Sequence, residues 1–147
     1  MPLPEPKLGL VVHYGFIWAR LGSGTPPDSG KHRPCLIVDL ESLEERGLPG
    51  RPIRRVTYLP ISHVPPRQGE QAIAVPPRVA RHLGLSSETP FLYTSHAVED
   101  DWPFDLSPIP GSSDRFDYGF IPPRLFDAIA ADFAAYLAEH PGIVHRP

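Results

Sequence analysis

Apolar residues fall along this chain in short runs that alternate with turn-forming stretches. Leu8-Gly9-Leu10-Val11-Val12-His13-Tyr14 is rich in β-branched and aromatic residues and predicts a first strand, resuming through Phe16-Ile17-Trp18. Residues 21–32 hold Gly, Ser, Thr, Pro and Asp and read as a loop. Pro34 to Leu40 is an apolar run of strand length, hence a buried strand. Residues 41–52 are charged and end in Gly47, Pro49, Gly50 and Pro52, a second loop. Ile53 to Ile61 is a third strand, in which Val56, Tyr58 and Pro60 alternate with Arg55, Thr57 and Leu59, so one face is the more polar.

Ser62 to Glu70 is a Pro/Gly-rich loop and Ala72 to Val75 a short strand. Pro77 then opens a short helix, Arg78 to Leu83, with Gly84 as its stop. Pro90 to Ala97 reads as a strand, 99–115 as an acidic and then Pro/Gly-rich excursion, and Phe116 to Ile121 as a last strand. Pro122 to Glu139 is the one long helix: Phe126, Ile129, Phe133 and Leu137 form an apolar stripe at three-to-four spacing. The elements predict a mainly β fold with helices, an α+β SH3-like barrel carrying a short helix and a C-terminal helix. One domain is expected over residues 1–147, with 1–7 a proline-rich tail and 8–139 the barrel and its helix.

Composition sharpens this picture. The 21 prolines among 147 residues disfavour long helices and central strands and favour short strands joined by stiff turns. The single cysteine, Cys35, excludes an intramolecular disulfide and stands in an apolar run, where a thiol acts as a small hydrophobe. The start of the chain lacks a basic region followed by an apolar one, and no apolar stretch approaches membrane-spanning length. A cytoplasmic location without membrane contact is therefore expected.

The net charge of −3 does not advertise a polyanion partner, but its distribution is uneven. Residues 1–85 hold 11 Lys/Arg against 7 Asp/Glu, and residues 86–147 hold 3 against 10. The first part could offer phosphates a local positive field, although a solvated surface explains the same counts.

Two clusters bear chemistry. Asp28-Ser29-Gly30-Lys31-His32-Arg33-Pro34 leads from a loop into a buried strand. Pro34 lacks a backbone donor and suits a strand's first residue, so Arg33 sits at the strand's mouth, where its guanidinium could grip a phosphate bidentately or pair with Asp28. In Leu59-Pro60-Ile61-Ser62-His63, Ser62 ends a strand. It could donate to a phosphate oxygen or simply form the turn; the Gly-x-Ser-x-Gly elbow of serine hydrolases is missing. None of the seven histidines has zinc-finger or His-Glu-x-x-His spacing, so no metal is expected. His13, His32 and His63 lie near the two clusters and could move a proton near neutral pH.

In this order the pieces resemble the MazF/PemK toxin family. Gly9 opens the first strand, Asp28 stands five places before Arg33-Pro34, and an apolar strand, Cys35 to Val38, follows. A strand ending Pro60-Ile61-Ser62 comes next, then a short strand, Leu83-Gly84-Leu85, another strand and a C-terminal helix, over roughly residues 8–137. The resemblance implies a MazF/CcdB-type barrel that dimerises with its own copy. It also implies an endoribonuclease that cuts single-stranded RNA without metal or other cofactor, and a cognate antitoxin peptide that blocks it.

Carried over, Arg33 matches the family's catalytic arginine, Ser62 its catalytic Thr/Ser, and Asp28 falls where a Glu is usual. His32 and His63 are further catalytic candidates, and Lys31, Tyr14, Trp18 and Arg67 RNA-binding ones. The aromatics would stack bases, or else fill the barrel core. The loop before Arg33 is longer and richer in proline than in compact members, and residues 99–120 have no counterpart in the pattern. The competing expectations are a non-catalytic binding module, such as a CcdB-like inhibitor of a cellular protein on the same barrel, and a structural or regulatory domain.

Overall fold

The computed structural model describes residues 3–18, 28–48, 51–85 and 88–145, with the backbone alone for 17–18, 28–31, 43–48, 51–53 and 144–145. Its elements run β1 (Leu10–Trp18), β2 (Asp28–Leu48), β3 (Arg51–Ser62), β4 (Ala72–Ala74), α1 (Pro77–His82), β5 (Phe91–Tyr93), β6 (Val98–Asp101), β7 (Asp117–Phe120), α2 (Pro123–Glu139) and β8 (Val144–His145). The fold is mainly β with two helices, a sheet curled into a half-barrel with the order β4-β5-β3-β2-β1-β7. β6 also lies on β3, and β8 runs parallel to β6.

The period-two alternation of each long strand divides its side chains between two cores. Leu10, Val12, Tyr14 and Phe16 of β1, Cys35 and Ile37 of β2, and Val56 and Tyr58 of β3 turn into the hollow of the curl, with Tyr93 and Val98. Val11, Leu36, Val38, Leu59 and Ile61 turn to the other side, where Ala80 of α1, Leu83 at its C-terminal cap, and Ile129 and Phe133 of α2 cover them. A register shift in β2 between Ile37 and Asp39 adds one residue against β3, so inward-facing positions change parity along β2.

Four expectations are corrected here. Residues 28–32, assigned to a loop, belong to β2 and pair with β1, Gly15 opposite His32 and Phe16 opposite Lys31. The segment 41–52, also assigned to a loop, carries β2 and β3 out as a long hairpin, with Leu43 opposite Ile53 and Leu48 opposite Arg51. Charge along 41–46 hid these strand positions, because cross-strand pairing with β3 sustains the ladder where an apolar pattern is missing. Pro90 to Ala97 is not one strand: β5 is three residues long, and Val98 starts β6. Finally, β3 has no polar second face in its middle, since Thr57 is 5% exposed and Leu59 fully buried beneath the helices.

The excursion 99–115 closes the curl. Its acidic start is β6, in which Asp100 stands opposite Val56 and Asp101 opposite Arg55. Arg55 donates to Asp101 Oδ1 from Nε and Nη2 at 3.3 Å. The chain then crosses to the free edge of β1, where Gly15 N–H donates to Asp105 O and Ser107 N–H to His13 O, both at 3.1 Å. Beyond that bridge β7 takes over the same edge.

Gly9 sits where β1, β2 and α2 converge, at φ +88°, with its N–H donating to Ile37 O and its carbonyl accepting from Ile121 N–H. A side chain is disfavoured at that backbone angle, which accounts for glycine at the head of β1. Among the described residues no helix is long and apolar enough to cross a membrane.

Candidate functional site

The sheet register brings three of the candidate residues to one end of one face. Tyr14 of β1 is the partner of Arg33 on β2. On the other flank Cys35 pairs with Pro60 and Leu36 with Leu59; beyond that ladder Ser62 joins β5 opposite Phe91, so Arg33 and Ser62 each stand two residues past the Cys35–Pro60 pair on neighbouring strands. Arg33, Pro60 and Ser62 thus share the face that carries Tyr14 and Cys35. Arg33 and Ser62 are half-buried.

Arg33 is held by its backbone. The Cys35 thiol, fully buried, reaches the Arg33 carbonyl at 3.4 Å. Burial raises the thiol's pKa far above its usual range, outweighing the Arg33 charge, so Cys35 is a spacer and not a nucleophile. Ser62 Oγ accepts the Val64 N–H at 3.2 Å, closing the turn that ends β3. That bond uses an acceptor site of the hydroxyl and leaves its proton free to donate. The turn-forming and phosphate-donating readings of Ser62 are therefore compatible. His63 follows directly and is exposed.

The remaining candidates stand elsewhere. Tyr14 is fully buried: its ring stacks on Tyr58 at 4.0 Å and 14°, and its hydroxyl donates to Asp100 Oδ2 at 2.6 Å. It is barrel core and offers no ring face to a base. Asp28 pairs with Trp18 in the ladder, five residues from Arg33 along an extended strand. At about 3.3 Å per residue that is roughly 16 Å of backbone, so the two are not brought together. The side chains of Asp28, Lys31 and Trp18 lie outside the described residues. Arg67 is exposed in the β3–β4 loop, where its N–H donates to Glu70 Oε1 at 2.8 Å.

His32 is exposed and points to the face opposite Arg33, stacked on His13 with ring centroids 5.9 Å apart. His13 is 7% exposed and shares a 2.9 Å hydrogen bond through Nδ1 with the Tyr118 hydroxyl. Burial, then the neighbouring His32, lowers the pKa of His13, while burial and then Cys35 push Tyr118 up to about 12. This pair stays neutral near pH 7. Among the described residues no three His, Cys, Asp or Glu side chains are grouped to hold a metal ion.

Two features escaped the reading of the sequence. The Tyr14–Asp100 bond joins residues 86 positions apart, and nothing local announces it. The other was legible. Val75-Pro76-Pro77-Arg78-Val79 and Ile121-Pro122-Pro123-Arg124-Leu125 are the same pattern and make the same helix entrance. Pro76 and Pro122 adopt φ/ψ of −58°/146° and −57°/144° at the N-cap, with Val75 and Ile121 buried ahead of them. Among known proteins, no family model, curated protein or solved structure matches this chain.

Proposed function

We propose that this chain is an endoribonuclease acting on single-stranded RNA, with Arg33 and Ser62 as the groups that meet the scissile phosphate. One observation carries the reading: Arg33 and Ser62 each stand two residues beyond the Cys35–Pro60 pair on the neighbouring strands β2 and β3, both half-buried. The motif order that resembles the MazF/PemK toxins supports it from the sequence side.

The chemistry asks little of the protein. The RNA's 2′-oxygen attacks the adjacent phosphorus, the 2′-O–P bond forms and the P–O5′ bond breaks. A proton leaves the 2′-hydroxyl and one arrives on O5′, giving a 2′,3′-cyclic phosphate and a 5′-hydroxyl. Arg33 stabilises the charge that builds on the phosphorane oxygens, where a guanidinium can donate twice. The Ser62 hydroxyl donates to a non-bridging oxygen. His63, exposed and next in sequence, is the better placed histidine for proton transfer, because His32 faces the opposite side of the sheet. Asp28 has no part in this scheme. On the same reading, growth inhibition is the cellular effect, a second copy completes the working unit and an antitoxin peptide is the antagonist.

A second reading draws on the separation of Asp28 from Arg33, which leaves the centre without that carboxylate: the same face would then bind without cutting. One experiment divides the two. Purified protein and Arg33→Ala are incubated with EDTA on several long single-stranded RNAs. The expected result is discrete fragments with 5′-hydroxyl ends from the wild type only, with matching circular dichroism for both. Intact RNA from a folded wild type, or equal cleavage by the variant, would overturn the proposal.

A further inference from the structure

The helix α1 carries a cationic face that nothing in the fold uses. Val79, Ala80 and Leu83 pack into the core, and at 100° per residue the opposite side presents Arg78, Arg81 and His82, all exposed. Among the described residues none of the three has an ion pair or a side-chain hydrogen bond. The stretch Gln71 to Ser87 contains no Asp or Glu. A cation in the last turn complements the helix dipole, which suffices for Arg81. Arg78 stands in the first turn, where the dipole repels a cation and no acidic residue offsets it.

The second Pro-Pro-Arg entrance repeats the arrangement. Arg124 is exposed in the first turn of α2, again without an acidic residue in that turn. Leu83, at the end of α1, lies beside the strand leading into α2: a Cβ built at Gly119 would be 3.7 Å from Leu83 Cδ2. Arg81 and His82 stand three and four positions after Arg78, so their Cβ atoms lie about 5–6 Å from that of Arg78, a spacing suited to neighbouring phosphates of an extended strand.

We infer that Arg78, Arg81 and His82 form a phosphate-binding strip for the backbone of single-stranded RNA, separate from the Arg33–Ser62 centre. The inference rests on the proposed RNA-directed function and adds a sequence-independent contact to it. Neutralising the strip weakens binding and lowers its salt dependence, since each lost phosphate contact reduces the slope of log K against log salt by roughly 0.7 on single strands.

The test is fluorescence anisotropy with a labelled 20-nucleotide deoxyuridine strand, which lacks the 2′-hydroxyl and cannot be cut by this route. The proteins are wild type, Arg78→Gln/Arg81→Gln/His82→Gln and Arg33→Ala. Expected are a loss of about tenfold in affinity for the triple variant at low salt, a slope lower by roughly 1.4–2, and most of the slope retained in Arg33→Ala. Unchanged affinity and slope in a folded triple variant would overturn the strip even if wild type cleaves RNA. Retained strip-dependent binding without any RNA cleavage would sink the nuclease and spare the strip. Displacement of the strand by polyglutamate at equal charge concentration would assign the strip to acidic protein instead.

Discussion

The two sides of the sheet are built on different principles. Inside the curl, the largest buried side chains are tyrosines: Tyr14, Tyr58 and Tyr93 are fully buried there, and Asp100, only 2% exposed, accepts from one of them. The carboxylate accepts the Tyr14 hydroxyl on one oxygen and the Asp101 N–H, at 2.8 Å, on the other. On the helix-covered side the core is mostly aliphatic, with the buried His13–Tyr118 bond beside it and further polar bonding at its margin. There Asp132 of α2 accepts from Thr94 Oγ1 at 2.7 Å and Gln71 Nε2 at 2.8 Å, fastening the helix to β4 and β5. The first side depends on a few directional bonds made across the barrel, whereas the second depends on volume. A buried hydroxyl or carboxylate must find its partner at one distance and angle, while an aliphatic core accepts many arrangements of similar packing.

That contrast can be broken by mutation. Ile129→Ala, in the aliphatic core, should cost the most, about 3–4 kcal/mol, through lost burial and the cavity left beneath α2. Urea denaturation measures it, and a loss under about 1 kcal/mol would mean that the helices do not carry this side. Asp100→Ala should cost about 2–3 kcal/mol, because the Tyr14 hydroxyl is left buried without its acceptor. Its signature is recovery: adding Tyr14→Phe to Asp100→Ala should restore about 1 kcal/mol, since an absent hydroxyl needs no partner. Strictly additive losses would place the Tyr14–Asp100 bond outside the stability of the curl.

The smallest effect concerns pH. His13 is held neutral, its pKa below the usual 6.5 through burial and then His32. In the unfolded chain it takes up a proton as pH falls through about 6.5, ahead of the folded protein. Stability is therefore full above that pH and declines below it, until the folded group is protonated too. His13→Gln should flatten this part of the acid limb in melts between about pH 7 and 5. An unchanged limb would show that another group governs it.

How much was legible differs between fold and site. β1, the α2 stripe and the Pro-Gly punctuation of α1 could be read directly, because their periods of two and 3.6 are written in consecutive residues. The candidate chemistry was legible as residue types at strand ends, Arg33 before Pro34 and Ser62 after Ile61. The acidic strand β6 was not, because Glu99-Asp100-Asp101 has low strand propensity and is held by Arg55 and Tyr14, far away in the chain.

The sequence by itself determined which residues were apolar enough to be buried, where the chain must turn, and that β strands with a terminal helix would result. Tertiary structure alone decided which candidates meet. Register across β1, β2 and β3 paired Arg33 with Tyr14, set both Arg33 and Ser62 just past the Cys35–Pro60 pair, sent His32 to the opposite side, and left Asp28 far along the strand. The reason is that local propensity acts over a few residues, whereas register is chosen by the burial of whole faces, and a one-residue slip would reverse every side chain in the strand.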